Sequence, residues 1–233
     1  MGITRRSFLS CAAGTAAMGL PFDLWRIGRT SSAVETDARF VLLDLKAHGG
    51  LTESVAGFAT ALGSLGTRFM WADPRAVSRC AVLIVPGAVE IPPPAVRAIV
   101  SCLEAGASVI LESGAGFAPK PEFRAQRAVL RDALHVEIDA PVHLWAARPG
   151  QRIPYVDYTW PHAAKLRDFS RVVPLGRQAG EIIARVDGLP VGVTQRRGRG
   201  TLIFLGSPLG PALWAGDSEA RRWLLGVLRK RVP

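Results

Sequence analysis

The sequence predicts an α/β domain in which a mostly parallel, doubly wound sheet is covered by helices on both faces. Short, uninterrupted apolar runs at 39–45, 80–86 and 107–112 are typical of strands that are buried on both sides. Apolar residues at helical spacing lie between these runs and indicate crossover helices. With 48% hydrophobic and 21% charged residues, the composition is that of a globular protein with one sizeable core.

Strands and helices alternate through the first half of the domain. Strands are expected at 39–45, 67–71, 80–86 and 107–112, and helices at 51–65, 92–105 and 120–134. Prolines open the second helix and Gly106 ends it. In a doubly wound sheet, ligands bind beyond the carboxyl ends of the strands. The loops at 46–50, 86–91 and 112–118 are therefore the expected site.

The pattern changes in the second half of the chain. An aromatic, proline-containing stretch at 141–162 shows no clear period, and we interpret it as irregular. Short strands are expected at 181–186, 190–195 and 200–205, joined by Asp-Gly and Arg-Gly turns that are typical of hairpins. A helix at 218–229 closes the domain. Antiparallel strands near the C-terminus thus extend the mostly parallel sheet.

The first 33 residues are expected to be an export signal. Residues 4–9 read Thr-Arg-Arg-Ser-Phe-Leu, which matches the twin-arginine pattern, and a mild apolar stretch at 8–22 follows. We expect a periplasmic protein, or one that an uncleaved signal tethers to the membrane facing the periplasm. The domain proper is expected at 39–229.

The net charge bears on nucleic-acid binding, and the cysteine content bears on disulfide bonding. The formal net charge is +10, but the basic residues are scattered and lack interleaved aromatic side chains, so no nucleic acid is expected. Cys11 lies in the signal, which leaves Cys80 and Cys102 for the exported domain. A disulfide between them is one hypothesis, because the helix that carries Cys102 returns toward the start of the strand that carries Cys80. Two separate buried thiols are the alternative.

Three segments, in this order, resemble the class I glutamine amidotransferase-like superfamily. They are 82–87 (VLIVPG), 103–114 (LEAGASVILESG) and 188–208, which contains GLPVGVTQ and TLIFLGSP. The resemblance implies a flavodoxin-like fold, with a nucleophilic Cys on the turn after the fourth strand and a His before a Pro after the last strand. Ser113 and Ser207 stand at these positions. The resemblance therefore implies an exported, non-catalytic domain that binds a small molecule or an envelope protein.

A hydrolase acting at the same edge of the sheet is the second hypothesis. Ser113 or Glu112 would supply the chemistry, and a serine would need a histidine base, for which His48 and His162 are the candidates. A turn in which Ser113 merely caps the next segment is the alternative. Gly87 would line a ligand site together with Gly114. No cofactor is expected.

The densest group of aromatic and polar side chains is a further candidate for ligand contact. It comprises Asp157, Tyr158, Trp160 and His162. A packed loop cover would give the same composition. Metal ligands could come from Asp44, His48, Glu112, Asp157 and His162 only if distant loops converge. Their spacing contains no metal motif, so no metal is expected. The third hypothesis is a structural component of an envelope complex.

Overall fold

The structure, a computed structural model, describes residues 37–45, 48–77, 79–144, 154–167 and 171–231. All of them belong to one compact unit, residues 35–233. The predicted signal and Cys11 lie outside the described residues.

Helices and strands alternate through the first half of the domain and give way to a run of strands in the second. The first half contains β1 (Asp37–Leu43), α1 (Thr52–Ser64), β2 (Met70–Ala72), β3 (Arg79–Ala88), α2 (Pro93–Ala105), β4 (Ser108–Ser113), a 3-10 turn (Ala115–Phe117) and α3 (Lys120–Leu134). The second half contains β5 (Val142–His143), β6 (Tyr155–Tyr158), β7 (Ala164–Arg167), β8 (Arg171–Val172), β9 (Glu181–Val186), β10 (Leu189–Arg197), β11 (Gly200–Leu205), α4 (Gly210–Trp214) and α5 (Ser218–Arg231).

The main sheet is open and mixed. Its strand order is β2-β1-β3-β4-β11-β10-β9-β6-β7, with β2 and β7 at the two ends in the described part of the chain. The strands from β2 to β11 pair in parallel, and the strands from β11 to β7 pair antiparallel. The prediction of a flavodoxin-like, mostly parallel sheet is therefore wrong, because half of the neighbouring strand pairs are antiparallel. Short hairpin connections dictate that direction for β9–β11.

The stretch at 141–162, interpreted as irregular, contributes strands instead. β6 and β7 form an antiparallel hairpin that pairs with β9 and extends the sheet. Burial alternates along both strands, with Val156, Tyr158, Ala164 and Leu166 facing the core. This period of two is the ordinary signature of a strand with one buried face. Each strand has only four residues, so the signal is short.

Helices cover both faces of the sheet and divide the core in two. One face carries Leu42, Ile84 and Ile110 and packs against residues of α1, α4 and α5. The opposite face carries Leu43, Val85 and Leu111 and packs against α2 and α3. Neighbouring residues of each central strand thus point into different cores, which explains their unbroken apolar runs. Among the described residues, no helix has the length and apolarity needed to cross a membrane.

Candidate functional site

A buried carboxyl group lies at the carboxyl end of β4. The Glu112 side chain is completely inaccessible to solvent. Its Oε1 accepts a 2.6 Å hydrogen bond from the Ser54 hydroxyl and a 3.3 Å bond from the Gly210 amide. Burial raises the pKa of Glu112 to about 7, although both hydrogen bonds act in the lowering direction. Its Oε2 has no hydrogen-bond partner among the described residues. We call Glu112, Ser54 and Gly210 the Glu112 cluster.

Two helices close over the Glu112 cluster. Ser54 belongs to the first turn of α1, and Gly210 opens α4. A Cβ at Gly57 would collide with the Gly210 carbonyl, and one at Gly210 would collide with the Ser54 backbone. The two helices therefore approach at backbone contact distance. They leave no room for a substrate above the carboxyl group on this face of the described chain.

Ser113 and the glycines around it are also enclosed. Ser113 is 1% exposed, and its Oγ accepts a 3.2 Å hydrogen bond from the Ala115 amide, as in the capping alternative. Gly114 donates its amide to the Ala88 carbonyl at 2.6 Å, and a Cβ there would lie 2.6 Å from the Gly87 carbonyl. Gly87 itself has φ +51°, and a Cβ would lie 2.8 Å from Leu51. Both glycines thus lie where a larger side chain would collide with neighbouring residues of the domain.

Residues of α3, of β8 and of the segment after β11 complete the enclosure of Ser113. The Gln126 side chain of α3, 2% exposed, donates to the Ala88 carbonyl at 2.9 Å. The Arg171 guanidinium donates to the Gly116 carbonyl at 3.4 Å. A Cβ at Gly206 would collide with the Val173 carbonyl, and Ser207 beside it is 3% exposed. The carboxyl edge of the central strands, where the sequence predicts a ligand site, is therefore packed.

The structure does not bring the predicted histidines onto Ser113. No hydrogen bond joins Ser113 to a histidine within the described ranges. His48 follows β1, two strand positions from β4. His162 follows β6, four positions from β4, or about 19 Å at ordinary strand spacing. Its ring packs against α5, where a Cβ at Gly226 would lie 2.9 Å from Nδ1.

The aromatic group at 157–162 is divided between the core and the surface. Tyr158 is 4% exposed and packs on Trp223 of α5, with ring centroids 4.7 Å apart. The Trp223 indole donates to the Trp160 carbonyl at 2.8 Å. Asp157 faces solvent and pairs with Lys165 across the β6–β7 hairpin at 3.3 Å. The contacts of this group therefore attach the hairpin to α5.

A shallow depression lies away from these residues. It has a volume of about 310 Å³ and lies between residues 74–77 and the exposed side of α2. Arg75 and Arg97 line it, and none of the predicted site residues does. Within the described ranges, no group of three side chains could hold a metal ion.

Fold and site together define an open, mixed α/β domain with a closed polar cluster at the carboxyl end of its parallel strands. No protein-family model matches the sequence, and no curated protein matches it. Solved structures do share the fold. A β-galactosidase from Rahnella sp. R3 is similar with a TM-score of 0.62 and 13% identity, over 84% of this chain and 32% of that chain. An exo-β-1,4-mannosidase from Opitutaceae bacterium strain TAV5 is similar with a TM-score of 0.55 and 14% identity, over 84% of this chain and 36% of that chain.

A cytoplasmic protein from Salmonella typhimurium LT2 is also similar. Its TM-score is 0.58 and its identity 12%, over 83% of this chain and 100% of that chain. At these identities, the likeness shows the fold alone. The chain spans about a third of the glycosidases but the full length of the Salmonella protein.

These comparisons correct the family assignment. The glutamine amidotransferase-like resemblance is wrong, since the structures that share the fold include glycosidases and a cytoplasmic protein, and no family model matches. The non-catalytic amidotransferase function that it implied is wrong with it. The segments that suggested it are a buried strand with a Pro-Gly turn, a helix-to-strand passage and a hairpin, which many α/β folds contain.

Sequence reasoning found Glu112 but missed the residues that enclose it. Ser54 and Gly210 are 58 and 98 positions away along the chain. Gln126 is 38 positions from its acceptor, Ala88. A polar residue at an otherwise apolar helical position was the available signal for Ser54 and Gln126. The hydrogen-bond partner of each side chain lies far away along the chain, so no neighbouring residues could have indicated it.

Proposed function

We propose that this domain is a structural component of a larger protein assembly. The observation that carries the proposal is the enclosure of Glu112 and Ser113, which are 0% and 1% exposed. A catalytic group must be reached by its substrate, and here α1 and α4 meet at backbone contact over the carboxyl group. A buried carboxyl held by a hydroxyl and an amide instead joins β4, α1 and α4.

The range of chains that share the fold supports a role within an assembly. In the glycosidases the fold accounts for about a third of the chain, and in the Salmonella protein it is the whole chain. A fold found both as part of a longer protein and alone suits a component that associates with other polypeptides. The twin-arginine pattern at residues 4–9 supports a location in the cell envelope.

The two edges of the sheet suggest which surface makes the contact. Edge strand β7 presents exposed Lys165 and Arg167, charges that discourage pairing with another chain. Edge strand β2 presents Met70 and Trp71, which are 42% and 37% exposed. The shallow depression begins two residues after β2.

Charge indicates the kind of partner that fits this surface. Arg75 and Arg97 line the depression, and the whole chain has a formal charge of +10. A second copy would repel this surface, whereas a polypeptide with acidic residues beside an apolar segment would complement it. We call Met70, Trp71, Arg75 and Arg97 the β2 surface, and assign it to an acidic partner polypeptide.

Native electrophoresis of the exported protein, with light scattering of the purified chain, tests this proposal. We expect the wild-type chain to migrate in a complex with another polypeptide, and the Arg75→Glu/Arg97→Glu variant to migrate as a monomer. Arg124→Glu/Arg127→Glu, the same charge change on exposed residues of α3, is the matched control and should leave the complex intact. A monomeric or purely self-associated wild-type chain would contradict the proposal.

A hydrolase centred on Glu112 is the second candidate, and one observation favours it. A carboxyl with a pKa of about 7 is suited to general acid–base chemistry at neutral pH, and the Ser54 hydroxyl lies 2.6 Å from it. Substrate could reach this pair only after α1 and α4 separate. The glycosidases that share the fold make glycosides the first substrates to test.

Turnover of 4-nitrophenyl glycosides and esters distinguishes the two candidates. The structural proposal expects no turnover by wild type above that of Glu112→Gln. Turnover that disappears in Glu112→Gln and in Ser54→Ala, while both variants remain folded by circular dichroism, would favour the hydrolase. The fluorophosphonate reaction of wild type and Ser113→Ala provides the corresponding test for serine, and we expect no labelling of either.

A further inference from the structure

Two thiols lie together between β3 and α2. The Sγ atoms of Cys80 and Cys102 are 3.6 Å apart, close enough for an S–H···S hydrogen bond. Cys80 is the second residue of β3, and Cys102 lies in the last turn of α2, which returns antiparallel over the sheet. A disulfide bond measures about 2.05 Å, so the sulfurs must approach by roughly 1.5 Å.

The two thiols differ in access. Cys80 is partly exposed, and Cys102 is completely buried. An external reagent therefore meets Cys80 first. The only other cysteine of the sequence, Cys11, belongs to the predicted signal.

We propose that Cys80 and Cys102 form a reversible disulfide, in which Cys80 reacts first with an external disulfide and Cys102 completes the exchange. The inference is independent of the assembly role proposed above. It assigns the domain a redox-sensitive link between one strand of the parallel sheet and the helix that follows it.

The exchange balances with a small-molecule disulfide as oxidant. The Cys80 thiolate attacks one sulfur of the oxidant, and the first thiolate of the oxidant leaves. The Cys102 thiolate then attacks Cys80 Sγ in the mixed disulfide, and the second thiolate leaves. In total, two protein thiols and one disulfide become one protein disulfide and two small thiols. The protein is oxidised by two electrons and the reagent is reduced by two.

The two steps of the exchange should differ in rate. The hydrogen bond between the thiols raises the pKa of Cys80, and burial raises that pKa further. The same hydrogen bond lowers the pKa of Cys102, against the effect of burial. Because the thiolate is the nucleophile, the raised pKa of Cys80 makes its attack the slow step. Resolution by Cys102 is fast because it is intramolecular, between sulfurs that start 3.6 Å apart. A mixed disulfide at Cys80 should therefore not accumulate in the wild-type domain.

Oxidation with oxidised glutathione, followed by intact mass and thermal unfolding, tests the proposal. We expect the purified exported domain to lose two hydrogens without retaining glutathione, and its Tm to rise by about 5–10 °C relative to the reduced form. Dithiothreitol should reverse both changes. The proposal would be overturned if both thiols stay free after equilibration with oxidised glutathione, in protein that circular dichroism shows to be folded.

Single substitutions test the order of attack. Cys102→Ser should accumulate one glutathione on Cys80, since the resolving thiol is gone. Cys80→Ser should remain unmodified while folded and react only after denaturation. If Cys80→Ser instead reacts as fast as Cys102→Ser, then Cys102 is accessible and the proposed order is wrong. Cys80→Ala and Cys102→Ala provide a second pair with no added hydroxyl, should a serine variant fail to fold.

Discussion

The Ser54 hydroxyl donates a 2.6 Å hydrogen bond to the Glu112 carboxyl group and so joins the first turn of α1 to the end of β4. Both residues are completely buried. Through the Gly210 amide, the same carboxyl oxygen also contacts the start of α4. One carboxyl group thus connects three elements on one face of the sheet. Loss of any of these contacts should weaken the packing of that face.

Ser54→Ala should lower the free energy of unfolding by about 1–3 kcal/mol, because a buried carboxyl oxygen loses a close donor. The same change should raise the pKa of Glu112 above its wild-type value of about 7, since the lost bond acted to lower it. Urea denaturation measures the first effect. Ser64→Ala, an exposed serine at the end of the same helix, is the control and should change stability by less than about 0.5 kcal/mol.

Gly57→Ala should destabilise the domain by about 2–3 kcal/mol or more, because the new Cβ collides with the Gly210 carbonyl and forces α1 away from α4. Gly63→Ala provides a matched control in the same helix. A Cβ there meets nothing within 4 Å, so the substitution should stabilise the helix by about 0.5–1 kcal/mol. Equal effects of the two substitutions in urea denaturation would show that α1 and α4 do not touch.

Trp223→Phe should cost about 2 kcal/mol of unfolding free energy. The variant loses the hydrogen bond to the Trp160 carbonyl and part of the ring that packs on Tyr158. Hydrogen exchange should become faster in β6 and β7, which these contacts attach to α5, while β3 and β4 remain protected. Trp214→Phe is the control, because Trp214 is 61% exposed and should tolerate the change. Faster exchange throughout the sheet would contradict a local role.

Local sequence signals identified much of the parallel half of the sheet. Continuous apolar runs predicted strands at the positions of β1, β3 and β4, and Pro-Pro with Gly106 placed the ends of α2 within a residue or two. The Asp187-Gly188 turn located the β9–β10 hairpin. These features depend on residues within a few positions of each other, so a single sequence contains them.

Long-range contacts determined what the sequence did not reveal. The β6–β7 hairpin has four residues per strand, too few for its alternation to outweigh the aromatic and proline content of the stretch. The enclosure of Glu112 and Ser113 depends on α3, α4 and residues 171–173, which follow them in the chain. The return of α2 did place Cys80 beside Cys102. A bond between them remains a proposal.

The pH dependence of stability for Glu112→Gln tests most directly whether the Glu112 cluster is closed. Burial raises the pKa of Glu112 from 4.5 to about 7, so the fold favours the protonated acid. Its contribution to stability is complete below about pH 4.5 and is lost as the pH rises through about 7. Glutamine is neutral throughout this range and keeps the shape of the side chain.

Urea denaturation at pH values from about 4.5 to about 8 makes the comparison. We predict that the unfolding free energy of Glu112→Gln minus that of wild type increases by roughly 3 kcal/mol across this range. A difference that stays constant with pH would mean that the Glu112 charge is solvated in the folded protein. That result would contradict the closed cluster, and it would also remove the raised pKa that favours the hydrolase.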